Sequence, residues 1–451
     1  MNIRKLVLEK VACFDHAEIE FQPGRDPDKA DIHILVGPNG TGKSTILMAL
    51  AQVFSRNGIV LQKRFHGSES GAFIDFDADS ACGIVMDNRQ DKSEVRREGL
   101  ALKTIERSNG VAFVIDKGSE SWRKLHDLRT LFAQYQPSDS RFADTKFSTA
   151  AFAYSGQRSV ASYQLKAIQE PGDSPLDQAL NFTSGGKPDQ LVQWIANTKA
   201  KEAFALAKGD TGRASKRRDA IKRIESTITA ITGKSFQFNM QDDPLKVTAT
   251  INDQDVELDV LPDGLKSIIS WIADLLMRMD RLPWVDDTPV LQRHFLLLLD
   301  EIEVHLHPAW QRKVLPTVQG LFPNAQVFIS THSPFIIASA DDAWIYPLYE
   351  GENGGSTVIG RPLPSMVGNS YATVLRDALG IDAEFAPQIE EQLNAFYELR
   401  DAVLAGSAEV GALAIKASEL RSLGEEVAAI VIPELRQVER RLASPREGGA
   451  A

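Results

Sequence analysis

The residues best suited to chemistry form a glycine-rich stretch at positions 37–44, GPNGTGKS. It matches the pattern G-x-x-x-x-G-K-S/T, in which glycines let the backbone curl until successive N–H groups point at a phosphate. Lys43 can reach the β- and γ-phosphates of a nucleotide, and the Ser44 hydroxyl can bind Mg²⁺. This phosphate loop therefore predicts a site for ATP and Mg²⁺. Its predicted nucleotide contacts are Gly37, Pro38, Asn39, Gly40, Thr41, Gly42, Lys43, Ser44 and Thr45.

A pair of acids, Asp300 and Glu301, follows an apolar run in residues 295–308, FLLLLDEIEVHLHP. A buried strand that ends in Asp300 would place this carboxylate at the edge of a sheet beside the phosphate loop, where it can hold Mg²⁺ through water. Glu301 would point elsewhere, and it can orient and deprotonate the attacking water. The alternative is that both residues are surface acids at the end of a strand.

Histidines mark two further candidate positions. His332 ends a second apolar run, QVFISTHSP at 326–334, and its side chain could touch the γ-phosphate. The alternative is a structural histidine whose hydrogen bonds are satisfied within the protein. His305 and His307 are two residues apart, with Glu303 nearby, and could bind a metal ion, but no third ligand is evident.

These residues need a sheet whose strands end at a common edge. The runs ILV, FLLLL and QVFIS have the continuous apolar character of strands buried on both faces of a parallel sheet. Residues 2–21 and 70–116 alternate apolar and polar side chains, which predicts antiparallel strands. The predicted fold class is α/β, with a mixed central sheet, an N-terminal antiparallel β lobe, a helical insertion and a helical C-terminal region.

Four segments are predicted along the chain. They are an N-terminal lobe with the phosphate loop and the antiparallel sheet (1–175), a helical insertion (176–235), a C-terminal lobe with the acid pair and His332 (236–350), and a mostly helical region for assembly or effector docking (351–451).

The composition sets limits on the partners. The 451 residues carry a formal charge of −11, so the surface as a whole should repel nucleic acid and anionic membranes. The exception is a basic cluster at 199–223, which is either a solvated helix face or a contact for nucleic acid or an acidic partner. Cys13 and Cys82 are too few for a disulfide framework. Without a signal peptide or an apolar run near ~18 residues, we expect a cytoplasmic protein that does not enter a membrane.

The order of these motifs resembles the ABC-type ATPase heads of the RecF, SMC and OLD kinds over roughly residues 1–350. The phrases that carry the resemblance are LEKVACFDHAEIEF, GPNGTGKST, LPDGLKSIISWIADLLMRM, LLLLDEIEVHLHPAWQRKVLP and FPNAQVFISTHSPFII. The HLHP and THSP phrases are similar to those of bacterial AAA family ATPases of anti-phage systems, such as Septu-like or PARIS-like ATPase subunits. The resemblance implies an ABC-type P-loop NTPase head that hydrolyses ATP with Mg²⁺.

The resemblance also assigns LPDGLKS, residues 261–267, as the signature loop, which crosses to the nucleotide of a partner subunit. Gly264 matches the family glycine, and the N-terminus of the following helix would face the γ-phosphate. Pro262 stands where the family commonly has serine, so a hydroxyl contact is lost, and Lys266 is the best candidate to compensate. The alternative is an ordinary turn that caps a helix.

Three more roles follow from the resemblance. Gln157 corresponds to the Q-loop glutamine, which senses Mg²⁺ and the attacking water, with Arg158 as a rival contact. His307 falls where related proteins have the D-loop aspartate, at the dimer interface, which would explain the His305/His307 pair without a metal. His332 corresponds to the switch histidine.

Three functions are consistent with these residues. The first is an ATP-hydrolysing switch, in which two copies pair head to tail, or form a higher homo-oligomer, and control a separate effector such as a nuclease or toxin. The second is a RecF-like DNA-binding repair ATPase. The third is a low-turnover scaffold that ATP stabilises around an effector, and Pro262 motivates it.

We expect an ATPase that is not itself a nuclease. OLD-like nucleases carry an early Glu and a later Asp-x-Asp on strand ends, and nothing after Pro334 fits that pattern. The phrase DDAWIY is interpreted as lacking supporting strands. Trp344 and the helices around 372–440 are predicted to form an assembly or docking surface instead.

Overall fold

The computed structural model shows an α/β protein built around two large sheets. It describes residues 2–55, 59–67, 69–76, 80–86, 94–97, 100–108, 110–116, 121–156, 165, 167–182, 188–351, 355–365, 368 and 370–443. The strands are β1 (Ile3–Val11), β2 (Phe14–Glu20), β3 (Asp31–Val36), β4 (Gly71–Phe76), β5 (Ser80–Met86), β6 (Glu94–Arg97), β7 (Leu100–Ser108), β8 (Val111–Ile115), β9 (Ala150–Tyr154), β10 (Phe236–Asp242), β11 (Leu245–Ile251), β12 (Gln254–Glu257), β13 (Phe295–Leu299), β14 (Gln326–Ser330), β15 (Ala343–Tyr349), β16 (Val358–Ile359) and β17 (Leu363–Pro364).

The helices follow the same order. They are α1 (Lys43–Gln52), α2 (Ile59–Gln62), α3 (Ser121–Gln134), α4 (Pro188–Ala207), α5 (Thr211–Thr232), α6 (Asp263–Ile268), α7 (Asp274–Arg281), α8 (Pro308–Leu321), α9 (Pro334–Ser339), α10 (Tyr371–Leu379), α11 (Pro387–Leu404), α12 (Val410–Arg421) and α13 (Glu425–Ala443).

The central sheet has the strand order β16-β15-β3-β14-β13-β9, and β17 also pairs with β15. Strands β15, β3, β14, β13 and β9 run parallel, whereas β16 and β17 are antiparallel to β15. Successive side chains of β13 enter two hydrophobic clusters, with Leu297 and Leu299 in one and Leu296 and Leu298 in the other. The apolar runs are therefore strands buried on both faces, as predicted.

This parallel order brings the candidate residues to one edge of the sheet. The phosphate loop follows β3, Asp300 follows β13, and the segment with His332 follows β14. Strands β3 and β14 are hydrogen-bonded neighbours, with Ile34 opposite Ile329. Because the carboxyl ends of parallel strands share an edge, residues far apart in sequence meet there.

The second sheet is antiparallel, with the order β2-β1-β4-β5-β8-β7-β6. It contains strands from both predicted antiparallel segments, 2–21 and 70–116. Helix α1 joins the two sheets, because Leu47 and Leu50 pack in one hydrophobic cluster with Leu8 of β1 and Leu298 of β13. This packing fixes the helix that begins at the phosphate loop. The mixed central sheet and the antiparallel lobe confirm the predicted fold class.

The predicted helical insertion corresponds mainly to α4 and α5. The Asp210 carboxylate caps α5 by accepting a hydrogen bond from the Arg213 N–H at 3.0 Å, and Gly233, with φ of 69°, ends the helix. The next residues form the three-stranded sheet β10-β11-β12.

Helices α6 and α7 are joined by a π-helical turn at Ile269–Ala273, and the three together form what we call the signature helix. The Asp274 carboxylate accepts a hydrogen bond from the Tyr154 hydroxyl at 2.8 Å and another from Arg278 Nε at 2.6 Å. Asp274 and Arg278 are both buried. The hydrogen bond from the Tyr154 hydroxyl therefore ties the signature helix to the end of β9, and the buried ion pair lies within the helix.

The interpretation of DDAWIY as a segment without supporting strands is wrong. Its residues enter β15, which pairs with β3 in the central sheet and places Trp344 opposite His33. The Trp344 indole N–H donates to the Pro23 carbonyl oxygen at 2.9 Å, so Trp344 is tied to the segment that precedes β3. Its place in an assembly or docking surface stays a prediction. Pro347 within the strand obscured the pattern, because proline is unusual inside a sheet. The exclusion of nuclease activity stays a prediction.

The chain divides into two compact units, Met1–Gly380 and Ile381–Ala451. In the second unit, α11, α12 and α13 pack around Phe396, Leu413 and Leu420. The boundaries of the four predicted segments stay predictions. Within the described ranges, we find no helix that is both long and apolar enough to span a bilayer.

Candidate functional site

The phosphate loop needs glycine at its two ends. Gly37 and Gly42 have φ values of 143° and 89°, which side-chain-bearing residues rarely adopt. Space is also lacking, because a Cβ on Gly37 would lie 2.3 Å from the Leu348 carbonyl oxygen and one on Gly42 would lie 2.4 Å from the Phe14 ring. The loop conformation is therefore fixed by backbone freedom and by close packing on β15 and β2.

Lys43, the first residue of α1, folds back over the loop. Its Nζ donates hydrogen bonds to the carbonyl oxygens of Gly37 at 2.8 Å and Pro38 at 2.7 Å. Burial lowers the pKa of Lys43, and the negative charges of Asp300 and Glu301 oppose this shift. The ammonium group is thus held at the loop with carboxylates nearby, which suits it to bind phosphate oxygens.

Asp300 and Ser44 lie side by side, as a Mg²⁺ pair requires. The Ser44 hydroxyl donates to Asp300 Oδ1 at 3.0 Å, and the Ser330 hydroxyl donates to the same oxygen at 2.5 Å. The Asp300 N–H donates to the Tyr154 carbonyl oxygen at 2.9 Å. Hydroxyl and carboxylate oxygens are the ligands that Mg²⁺ prefers, so these residues fit the ion.

Glu301 lies at the same sheet edge in a strained backbone conformation. Its φ is 48°, in the left-handed region that is uncommon for a residue with a side chain and recurs at active sites. Its N–H donates to Ser330 Oγ at 2.8 Å. A Cβ on Gly156, after β9, would lie 2.7 Å from Glu301 Oε2, so the Glu301 side chain packs directly on the segment that precedes Gln157.

His332 is half-buried after β14. Burial lowers the pKa of His332, and the positive charge of Lys43 lowers it further. This shift favours the neutral imidazole, whose one ring N–H can donate a hydrogen bond to a γ-phosphate oxygen. The backbone N–H of His332 donates to Glu303 Oε1 at 2.6 Å.

The signature loop packs on the HLHP loop of its own chain. A Cβ on Gly264 would lie 2.7 Å from the His305 carbonyl oxygen and 2.9 Å from the Trp310 ring. The Ser267 hydroxyl donates to the Val304 carbonyl oxygen at 3.2 Å. Helix α6 begins after Pro262, which supplies no side-chain cap. The glycine is thus needed for close packing, and its contact with a partner's nucleotide stays a prediction.

Four other predicted positions have different outcomes. Gln157 and Arg158 lie outside the described residues. His307 caps α8, since its Nδ1 accepts the Ala309 N–H at 3.2 Å. Neither His305 nor His307 belongs to a group of three potential metal ligands in the described part of the chain. The place of His307 at a dimer interface stays a prediction.

Sequence reasoning missed Ser330 and Glu303. Ser330 is fully buried, and its hydroxyl bonds to Asp300 and to the Glu301 N–H together. The available signal was a polar residue at the end of an otherwise apolar strand. Glu303 lies in the phrase FLLLLDEIEVHLHP, but the sequence suggests for it only the role of a metal ligand beside His305 and His307.

Two family models match the chain. One, described as "AAA domain", matches residues 5–235, and another, described as "AAA domain, putative AbiEii toxin, Type IV TA system", matches residues 200–338. Solved structures that match the chain include the SMC head domain from Thermotoga maritima, with a TM-score of 0.40 and 14% identity, covering 81% of this chain and 100% of that one. The SMC head bound to the C-winged helix domain of ScpA has a TM-score of 0.44 and 15% identity, covering 81% and 98%.

Relatives in sequence cover most of the chain. Septu protein PtuA of Bacillus thuringiensis is 21% identical, covering 88% of this chain and 89% of its own. The Retron Ec83 probable ATPase of Escherichia coli is 23% identical, covering 78% and 72%. The Retron Vc95 probable ATPase of Vibrio cholerae serotype O1 biovar El Tor is 22% identical, covering 75% and 73%.

The predicted resemblance to ABC-type bacterial AAA family ATPases of the Septu kind is confirmed by these relatives and by the two family models. Because the first model spans more than half of the sequence, the chain belongs to the AAA domain family of ATPases.

Proposed function

We propose that the protein is an ATP-hydrolysing switch of an anti-phage defence system. The observation that carries the proposal is the hydrogen bond between Ser44 and Asp300, because it joins the phosphate loop to the acid pair at one edge of the sheet. Glu301 and His332 follow neighbouring strands at that edge. The Septu and retron relatives support the setting in phage defence.

In the proposed reaction, the loop N–H groups and Lys43 bind the phosphates of ATP. Ser44 and Asp300 would hold Mg²⁺, which offsets the charge of the triphosphate. The Glu301 carboxylate accepts a proton from the attacking water. Neutral His332 donates a hydrogen bond to the γ-phosphate. The Ser44 and Asp300 side chains are hydrogen-bonded to each other, and the backbone N–H groups of Glu301 and His332 are held by Ser330 and Glu303.

We further propose that two copies pair head to tail, alone or within a higher homo-oligomer. The loop of Gly264 in one copy then faces the phosphates bound by the other. Pro262 and Asp263 are the exposed residues of this loop. Lys266 Nζ lies 3.8 Å from Oδ1 of the exposed Asp263, so the Lys266 ammonium group lies close to the surface. ATP binding closes the pair, hydrolysis opens it, and the change of shape is passed to a separate effector protein.

Replacing Gly264 by alanine tests the pairing. The added Cβ would meet the His305 carbonyl oxygen at 2.7 Å, so the signature loop must move. We expect Gly264→Ala to lower ATP turnover about tenfold or more and to reduce ATP-dependent association. ATP affinity of a single copy should change by less than about threefold. Steady-state turnover, nucleotide titration and sedimentation with and without ATP measure the three quantities.

Gly320 provides the matched control. It lies within α8, and a Cβ there meets nothing within 4 Å, so Gly320→Ala should leave turnover and association unchanged. If Gly264→Ala associated and turned over like wild type, the head-to-tail pairing would be wrong.

A second candidate function is DNA binding through the predicted basic cluster on α4 and α5. Phe204 on α4 exposes 68% of its surface, and an exposed aromatic ring can stack on an unpaired base. The cluster consists of Lys199, Lys201, Lys208, Arg213, Lys216, Arg217, Arg218, Lys222 and Arg223. Some of these cations pair with acids, for example Arg218 with Glu202. Lys216 and Arg217 are exposed and form no ion pair with another described residue.

Charge reversal separates this candidate from the first. If α4 and α5 bind single-stranded DNA, Lys216→Glu/Arg217→Glu should weaken binding about tenfold or more and flatten its salt dependence. Fluorescence anisotropy at several salt concentrations measures both. The control Lys416→Glu/Arg421→Glu changes the charge equally on α12 and should bind as wild type does. A wild-type protein that does not bind DNA would refute this candidate and leave the switch untouched.

A further inference from the structure

Glu303 holds the backbone of the candidate switch histidine. Its Oε1 accepts the hydrogen bond from the His332 N–H at 2.6 Å, and a hydrogen bond to a carboxylate is charge-assisted. The contact links the segment after β13 to the segment after β14. The segment that carries Asp300 and Glu301 therefore also holds the backbone of His332, through Glu303.

The other carboxylate oxygen of Glu303 is buried and accepts no hydrogen bond from the described residues. A buried acceptor without a donor carries a free-energy cost, which an uncharged acceptor would reduce. The carboxylate lies near two groups of the site, Lys43 and His332, and the hydrogen bond that it accepts comes from the His332 backbone. This placement indicates that Glu303 serves the site as well as the packing of the loop.

The neighbours of His332 are fixed by other groups. The Ser333 hydroxyl donates to Gln311 Oε1 at 2.6 Å, and the Ser333 N–H donates to Thr331 Oγ1 at 3.0 Å. Glu303 supplies the bond to the backbone of His332 itself. Removal of that bond would free the peptide that carries the imidazole, while the flanking residues stay anchored.

We propose that Glu303 is a positioning residue for ATP hydrolysis, which holds His332 where its imidazole reaches the γ-phosphate. This inference rests on the proposed function, because it presupposes turnover of ATP. It assigns no contact between Glu303 and the nucleotide. The hydrogen bond that Glu303 accepts should therefore affect kcat through His332.

A double-mutant cycle tests this coupling in the full chain with ATP and Mg²⁺. Glu303→Ala removes the acceptor and should lower kcat about tenfold, with KM for ATP changed by less than about twofold. Glu303→Gln keeps an oxygen acceptor for the His332 N–H and should retain most of kcat. In the background of His332→Ala, Glu303→Ala should have no further effect on kcat.

Three outcomes would overturn the inference. The first is that the reductions of kcat caused by Glu303→Ala and His332→Ala multiply in the double variant. The second is that Glu303→Ala loses affinity for ATP. The third is that His332→Ala has the kcat of wild type. Thermal unfolding compares the stability of Glu303→Ala with that of Glu303→Gln. If their melting temperatures are equal, a difference in kcat between them reflects the geometry of the site and not a loss of folded protein. A wild-type protein without ATP turnover would instead refute the proposed function, so the two failures are distinguishable.

Discussion

Glu301→Gln should bind ATP and fail to hydrolyse it. The amide has the shape of the carboxylate but cannot accept a proton from the attacking water, so we expect kcat to fall about a hundredfold or more. The Glu301 N–H bond to Ser330 Oγ is a backbone contact and survives the change. ATP affinity should therefore remain within about threefold of wild type. Single-turnover hydrolysis and nucleotide retention on gel filtration measure the two effects.

The exposed acid Glu426 on α13 provides the control for this variant, and Glu426→Gln should turn over ATP as wild type does. A Glu301→Gln protein that hydrolyses ATP at the normal rate would show that another group activates the water. A wild-type protein with negligible ATP turnover would favour the ATP-stabilised scaffold. Pro262 suggests this alternative, because it stands where the family commonly has serine in the signature loop. Assembly should then depend on Lys43 and not on Glu301.

Lys43→Ala should lose ATP itself. The Lys43 ammonium is held at the phosphate loop by the carbonyl oxygens of Gly37 and Pro38, and it is the charged side chain that this loop offers to a phosphate. A charge-assisted hydrogen bond to a phosphate contributes about 1.5–3 kcal/mol, so we expect ATP affinity to fall about tenfold to a hundredfold. Isothermal titration calorimetry with a non-hydrolysable ATP analogue measures this change.

Lys313 on α8 is an exposed lysine that serves as the matched control, since Lys313→Ala removes an equal charge far from the loop in sequence. Its affinity for the analogue should equal that of wild type. Tight nucleotide binding by Lys43→Ala would contradict the assignment of residues 37–45 as the binding loop. ATP-dependent association should disappear together with binding, because the proposed pairing is driven by the bound triphosphate.

The sequence predicted the parts of the site that local pattern controls. Glycines at 37 and 42 mark positive φ values, and a continuous apolar run before Asp300 marks a strand buried on both faces. Because parallel strands end at one edge, the meeting of Ser44 with Asp300 could be expected from two short phrases.

Contacts between distant segments could not be predicted in this way. Nothing in LPDGLKS shows that Gly264 faces the His305 carbonyl oxygen, because that contact depends on how two loops cross in space. The pairing of β15 with β3 depends likewise on backbone hydrogen bonds. The residue types of β15 do not indicate this pairing, because Pro347 interrupts the pattern of a strand. The π-helical turn before Asp274 adds one residue to a turn and leaves no pattern that separates it from an α-helix.

The chain order of the central sheet has a consequence for synthesis on the ribosome. Ser44 and Asp300 are 256 residues apart, and the strands that flank β3, β14 and β15, come later still. A nascent chain that has already made the phosphate loop therefore lacks both strands that flank β3 until β14 and β15 have been made. Such long-range pairing forms slowly, because distant segments must first find each other. Fragments released early should be unable to capture nucleotide, so premature termination would yield inert polypeptide instead of an unregulated ATPase.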